Sequence, residues 1–361
     1  MRAMWRPVLN YACKGGLNLC GPEAFRAQAA LAADALAWYY QYARWYAALR
    51  RRPTVVLDAF CGMGGASEGA SRIPGVRVVG VDIAPQPAHS ERFGLFCQGD
   101  ALDKRLLAAL HRQHRFDVVM CSPPCQAYST GRMLNPTVQP ALIDQATETL
   151  QTLGVPLIVE NVTGAHKHMP APTTLLRGCH FGLRTDRPRL FGSPNTALHL
   201  DLALKGPGEK NIREHACLGP RRRYSRLNRF GMPERRPCCA KGNIFSPMGG
   251  VPYKSTLDEE AAAMGYGKPW PGMTYAGLRE SIPPAYSSYL VSITIARLLH
   301  EETQCPFISY DEACERPEES NAALASWAES AFKGDALARA LTKNHRRREK
   351  NLPSPASEKK T

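Results

Sequence analysis

No stretch of this chain is long and apolar enough to span a membrane. The most apolar N-terminal segment, residues 27–49, is broken by Asp34, Gln41 and Arg44, whereas a span needs about 20 consecutive apolar residues. Met1-Arg2-Ala3-Met4-Trp5-Arg6-Pro7 opens no apolar leader, so neither secretion nor a disulfide framework is expected for the 12 cysteines. They fit a reducing, cytoplasmic compartment. His215, Cys217, Cys238 and Cys239 share one segment, but neither half has the C-x2-C spacing of a strong zinc site, and no metal is expected. Acidic residues are scarce: 32 Asp and Glu face 46 Lys and Arg, a formal charge of +14. That imbalance points to a polyanionic partner.

A third glycine is also missing, and its absence is informative. Thr54-Val55-Val56-Leu57 reads as a buried strand leading into Asp58 and a glycine-rich turn, the strand–loop–helix entry of a nucleotide-type site. Gly62 and Gly64 fit G-x-G, but the next expected glycine is Ser67. A pyrophosphate cradle usually needs all three, so a dinucleotide is disfavoured. S-adenosylmethionine has no pyrophosphate and accepts a looser loop; a glycine turn without ligand is the alternative. A second strand over 76–81 ends at Asp82, about 20 residues past the loop, where a carboxylate can accept both ribose hydroxyls or simply face solvent.

Phe116-Asp117-Val118-Val119-Met120-Cys121-Ser122-Pro123-Pro124-Cys125-Gln126 sets a thiol just past a short apolar strand, behind two stiffening prolines. Open α/β sheets place their chemistry at that strand end. Cys125 is then either a nucleophile or a small buried hydrophobe. Glu160 ends a comparable run, Pro156-Leu157-Ile158-Val159, which brings a carboxyl to the same edge.

In order along the chain stand Asp58-Ala59-Phe60-Cys61-Gly62-Met63-Gly64-Gly65, Val81-Asp82, Gly99-Asp100-Ala101, Pro124-Cys125-Gln126, Glu160-Asn161-Val162 and Arg187-Pro188-Arg189. In content and order the chain resembles the cytosine-C5 DNA methyltransferases, densely over 53–192 and loosely over 256–300. The resemblance implies an α/β fold of the class I methyltransferase-like (Rossmann-like) type: a mostly parallel sheet with helices on both faces and an inserted target-recognition module. It implies S-adenosylmethionine as cofactor, held by Asp58, Phe60, Gly62, Gly64, Gly65, Asp82, Ile83, Asp100, Ala101 and Pro123. It implies Cys125 as nucleophile at C6 of a flipped-out cytosine, with Glu160, Arg187 and Arg189 holding the ring. Double-stranded DNA is the expected partner of a monomeric, nucleoid-associated enzyme, and a restriction nuclease, if there is one, would be a separate chain. A transfer-RNA cytosine methyltransferase and a non-catalytic DNA-binding protein are the alternatives. Two positions depart from the pattern: Glu280 stands where the family has asparagine near the cofactor, and Thr185 where glutamine opens the Arg-x-Arg motif.

Five segments are expected. Residues 1–52 form a helical extension, with Trp38, Tyr39, Tyr42, Trp45 and Tyr46 at helical spacing. It is expected to dock on the sheet; Arg44, Arg50, Arg51 and Arg52 touching nucleic acid is the alternative. Residues 53–192 carry catalysis and cofactor, 193–254 the recognition module, and 255–300 the return to the catalytic domain. The last segment, 301–361, has a helix over 322–341 and a disordered basic tail containing His345-Arg346-Arg347-Arg348-Glu349-Lys350. Within 193–254, Arg213, Arg221, Arg222, Arg223, Arg226, Arg229, Arg235 and Arg236 are interleaved with Tyr224 and Phe230, a pattern suited to phosphates and guanine edges. Changing Arg221, Arg222, Arg223 and Arg226 together to Ala is expected to flatten the slope of log K against log salt by up to about 0.9 for each phosphate no longer neutralised. Fluorescence anisotropy on a duplex measures this, and an unchanged slope would remove the segment from the interface.

Overall fold

All six residues of β1 (Thr54–Ala59) are buried, as in a strand covered on both faces. Val55, Leu57 and Ala59 enter one core while Val56 enters the other, the period-2 alternation of extended chain. The structure, a computed structural model, describes residues 22–129, 140–185, 187–195, 198 and 256–333. The arginine cluster, the four zinc candidates and the basic tail lie outside the described residues.

Around β1 are arranged β2 (Val76–Asp82), β3 (Phe96–Gln98), β4 (Val118–Cys121), β5 (Leu157–Asn161), β6 (Thr173–Leu176) and β7 (Arg189–Gly192). They form one sheet in the order β3-β2-β1-β4-β5-β7-β6. The pairings from β3 through β5 are parallel, whereas β7 runs antiparallel to both β5 and β6. This is the class I methyltransferase-like arrangement, with the strand order reversing between β1 and β4. Ligand crevices open at such a reversal.

Each face carries helices. One core joins Val56, Val118, Met120, Ile158 and Phe191 to α1 (Pro22–Arg50), α2 (Gly65–Ser71) and α8 (Pro284–Thr303). The other joins Val55, Leu57, Val119 and Val159 to α4 (Lys104–His114) and α5 (Ile143–Gln151). The remaining helices are α3 (Pro87–Phe93), α6 (Leu257–Ala263), α7 (Tyr275–Glu280), α9 (Tyr310–Glu315) and α10 (Pro317–Ala331). The expected terminal helix starts earlier than 322, because Pro317 and the acidic Glu318 and Glu319 make a favourable first turn. Among the described residues no helix is long and apolar enough to cross a membrane.

α1 belongs to the core that covers one face of the sheet, and within that core it meets α8 more extensively than β1. It packs as an outer helix against α8, with Tyr39 edge-on to Tyr289 at 5.9 Å and Trp45 against Trp327 of α10 at 5.4 Å. Its polar tips are answered: Trp38 Nε1 donates to Ile308 O at 2.9 Å. The helix ends in an ion cluster. Arg50 Nη1 and Arg52 Nη2 reach Asp117 Oδ1 at 2.7 and 2.6 Å, while Arg52 Nη1 and Val55 N donate to Oδ2 at 2.8 Å each. Arg50 and Arg52 therefore secure α1 to β1 and β4 at the edge opposite the expected chemistry. Asp117→Ala is expected to lower unfolding free energy by roughly 2–4 kcal/mol, less than a fully enclosed pair because both arginines retain access to water. Urea denaturation tests this; a loss below about 0.5 kcal/mol would reduce the cluster to a surface pair.

Candidate active site

Parallel strands deliver their following loops to a single edge, so β1, β2, β3, β4 and β5 bring residues distant in sequence to one crevice. Antiparallel β7 begins where those strands end, which puts Arg189 at that edge too.

The loop after β1 is braced from beneath. Asp58 is buried, and its Oδ2 accepts from Ser67 N at 2.9 Å and Ser67 Oγ at 2.6 Å. Burial pushes this carboxyl up to about 7. Asp58 thus acts as a support under the loop, and the serine that replaces the third glycine is what it supports. Gly64 has φ +101°, where a side chain would be strained and would strike Phe93. Gly62 N donates to Asp82 Oδ2 and Ala84 N to Asp82 Oδ1, both at 2.9 Å. Those bonds fix the carboxylate while leaving each oxygen a lone pair for a further donor. Beside it Ile83 is 71% exposed, a large apolar side chain on the rim. Asp100 is exposed with Oδ1 accepting from Leu102 N at 2.8 Å, and Ala101 is buried. Phe60 is half-buried with φ 59°, Gly65 is buried against Tyr266 and Ile282, and Pro123 is buried.

The Cys125 loop is held by backbone bonds. Asn161 Nδ2 donates to Pro123 O at 2.9 Å, tying the ends of β4 and β5 together. Tyr128 N and Ser129 N both donate to Cys125 O at 3.0 Å, and the Tyr128 hydroxyl accepts from Ile143 N at the start of α5. Cys125 is half-buried. Burial raises its pKa above the ordinary thiol value, Glu160 raises it further, and Arg189 and Arg187 pull it back.

Glu160 is 6% exposed and its Oε1 lies 3.0 Å from Arg189 Nε. Burial raises its pKa, against the pull of Arg189 and Arg187. That favours a carboxyl able to hold a proton. Arg187 is buried, and burial, then the like charge of Arg189, draw its pKa down to about 9. Its guanidinium donates to Arg279 O, while Tyr286 hydroxyl donates to Arg187 O at 2.8 Å. Two guanidiniums around one carboxylate leave surplus positive charge in a desolvated cleft, an arrangement that stabilises negative charge developing on a planar substrate.

Of the residues singled out from sequence, Cys125, Glu160, Arg187 and Arg189 are brought into mutual electrostatic range. Glu280 is exposed at the end of α7, and Thr185 is buried against Gly178. Among the described residues no group of three or more His, Cys, Asp or Glu is arranged to hold a metal. The bracing by Asn161 escaped sequence reading, although its triplet was noticed. So did the cover over the glycine loop, where Met63, Tyr266, Trp270 and Leu278 form a separate apolar cluster.

No protein-family model matches the chain, and no curated protein matches it. Solved structures share part of the fold. One, from an E. coli prophage and described as a candidate DNA modification methyltransferase, is 23% identical over 41% of this chain, with a TM-score of 0.32. The match spans about half of that protein, 49% of its length. A Burkholderia thailandensis 1,6-didemethyltoxoflavin-N1-methyltransferase with bound S-adenosylhomocysteine is 15% identical over 48% of this chain and 89% of its own, TM-score 0.26. A Salinibacter ruber RNA methyltransferase in complex with S-adenosylhomocysteine is 18% identical over 44% and 94%, TM-score 0.23.

The opposing charges around Cys125 give a test independent of any substrate. Glu160→Gln is expected to speed alkylation of Cys125 by iodoacetamide, and Arg189→Met to slow it, each by up to about tenfold, one unit of thiol pKa. Peptide mass spectrometry follows the reaction at this one cysteine; shifts in the same direction would break the electrostatic picture.

Proposed function

We propose that this chain is a DNA cytosine-C5 methyltransferase using S-adenosylmethionine. The observation that carries the reading is the convergence of a thiol, a buried carboxyl and two arginines from β4, β5 and the start of β7. The pocket residues fit the cofactor. Asp82 has lone pairs to spare for ribose hydroxyls, Ile83 offers apolar surface for a purine face, and the glycine loop lets backbone approach closely. When bound, the cofactor supplies an electrophilic methyl group.

The protein's own residues account for the other steps. C6 of a stacked cytosine is out of reach of Cys125, so the base leaves the duplex first. The Cys125 thiolate forms a bond to C6, and the electron pair of the C5–C6 double bond moves into the ring. Glu160 shares a proton with N3, and Arg189 and Arg187 place positive charge near O2 as the ring becomes electron-rich. C5 would take the methyl group from the cofactor, leaving S-adenosylhomocysteine; a base then removes the C5 proton, and the returning electron pair expels Cys125. Glu160 and Cys125 depend on each other here: burial raises the thiol pKa most, and protonating the carboxyl removes the charge that adds to that rise.

Expression of the wild-type chain should add 5-methylcytosine to cellular DNA, detected by mass spectrometry, with transfer RNA from the same cells as comparison. Cys125→Ser is expected to lower methyl transfer by roughly 100-fold or more, since a serine hydroxyl is almost never ionised at neutral pH. A duplex carrying 5-fluorocytosine should trap the wild-type protein as a denaturant-resistant adduct. Modified transfer RNA with unmodified DNA would reassign the substrate, and retention of activity by Cys125→Ser would end the covalent reading.

A further inference from the structure

Beneath the glycine loop runs a buried polar chain that methyl transfer as described leaves unused. Ser67 Oγ donates to Asp58 Oδ2 at 2.6 Å and lies 2.8 Å from His89 Nε2. All three residues are buried. With Asp58 ionised, the single hydroxyl proton of Ser67 goes to the carboxylate, and the second bond forms when His89 carries its proton on Nε2 and donates it. Nδ1 is then bare, and it is buried without a hydrogen-bond partner among the described residues. Burial draws His89 down to about 4, which keeps the ring neutral.

Two glycines from different elements make room for the imidazole. A Cβ on Gly80 of β2 would sit 2.5 Å from His89 Nε2, and one on Gly64 would sit 2.9 Å from Cδ2. Phe93 and Phe96 flank the ring with centroids at 4.8 and 5.8 Å. A side chain serving only to fill this space would need no nitrogen facing Ser67. Ser67 lies in the first turn of α2, directly after the loop, and its own backbone N also donates to Asp58 Oδ2 at 2.9 Å. The turn is therefore held from below by Asp58 and from the side by His89. The same loop presents Gly62 N to Asp82 Oδ2 at 2.9 Å, so what fixes the turn also fixes the carboxylate on the cofactor side.

We infer that His89 is a positioning residue for the cofactor pocket, acting through Ser67 in the first turn of α2 to hold the preceding glycine loop in the form that orients Asp82, and resting on the S-adenosylmethionine reading proposed above. His89 has no part in the chemistry at cytosine, so its removal should cost cofactor affinity and spare turnover.

The test compares His89→Leu, which keeps apolar volume without a donor, with His89→Gln, whose amide N–H reaches about as far as Nε2. Calorimetry with S-adenosylhomocysteine is expected to show about tenfold weaker binding for the Leu variant, the scale of one lost buried hydrogen bond. The KM for S-adenosylmethionine should rise alongside, with kcat within about twofold of wild type as for loss of uniform binding. His89→Gln should recover most of the affinity. A role confined to packing predicts the reverse, because glutamine fills an aromatic niche worse than leucine; Gln equal to or worse than Leu therefore overturns the inference. Ser67→Ala removes the acceptor from the other side and should abolish the difference between the two His89 variants. That variant alone should weaken binding, and it carries the test if His89→Leu fails to fold; unchanged affinity there would also overturn the inference. Wild-type protein with no affinity for S-adenosylhomocysteine or S-adenosylmethionine would instead overturn the cofactor reading beneath it.

Discussion

A carboxyl buried at position 160 must be answered by positive charge, and in this topology only an antiparallel strand can start where the parallel strands finish. β7 meets that requirement. Its register sets Phe191 opposite Glu160 and Leu190 opposite Asn161, so Arg189 enters at the crevice and meets Glu160 at 3.0 Å. Desolvation then acts on every member of the group: it raises the carboxyl and the thiol and lowers Arg187. Such groups are costly to bury one at a time, because an unpaired charge in a low-dielectric interior is destabilising. Together they offset one another within a single desolvated cleft.

Precision at the site comes from hydrogen bonds to backbone beneath the reactive side chains. Asn161 holds Pro123 O, Asp58 holds Ser67, and Gly62 holds Asp82. Each bond joins the ends of two elements, so the crevice is tied together although its side chains stand on loops and strand tips. The opposite edge of the sheet is closed by Asp117 with Arg50 and Arg52. Stability and chemistry are thus separated along the strand direction, the polar cluster at one end securing an added helix and the polar cluster at the other facing the crevice.

The apolar runs ending at Asp58, Asp82, Cys121 and Asn161 were legible in sequence because a strand buried on both faces needs apolar residues at nearly every position. Cys125 and Glu160 could be read as neighbours for the same reason: parallel strands share an exit edge. The antiparallel sense of β7 was not legible, since four residues beginning with arginine carry no directional signal. The helices that meet α1 were not legible, because its aromatic spacing shows that a face is buried, not what covers it; α8 and α10 do so, from more than 200 positions away for Tyr40 bonded to Ser288. His89 carried no signal, as its meaning depends on Gly64, Gly80 and Ser67 coming together around one ring.

Local sequence, then, determined the strands, the glycine turn with Ser67 in place of a third glycine, and the placing of a thiol and a carboxyl at one strand edge, because period, propensity and side-chain chemistry act over a few residues. Tertiary structure alone decided the Glu160–Arg189 pair, the buried Asp58–Ser67–His89 chain and the Asp117 cluster. Those depend on which distant groups lose water together, and desolvation is a property of the packed molecule rather than of any segment of it.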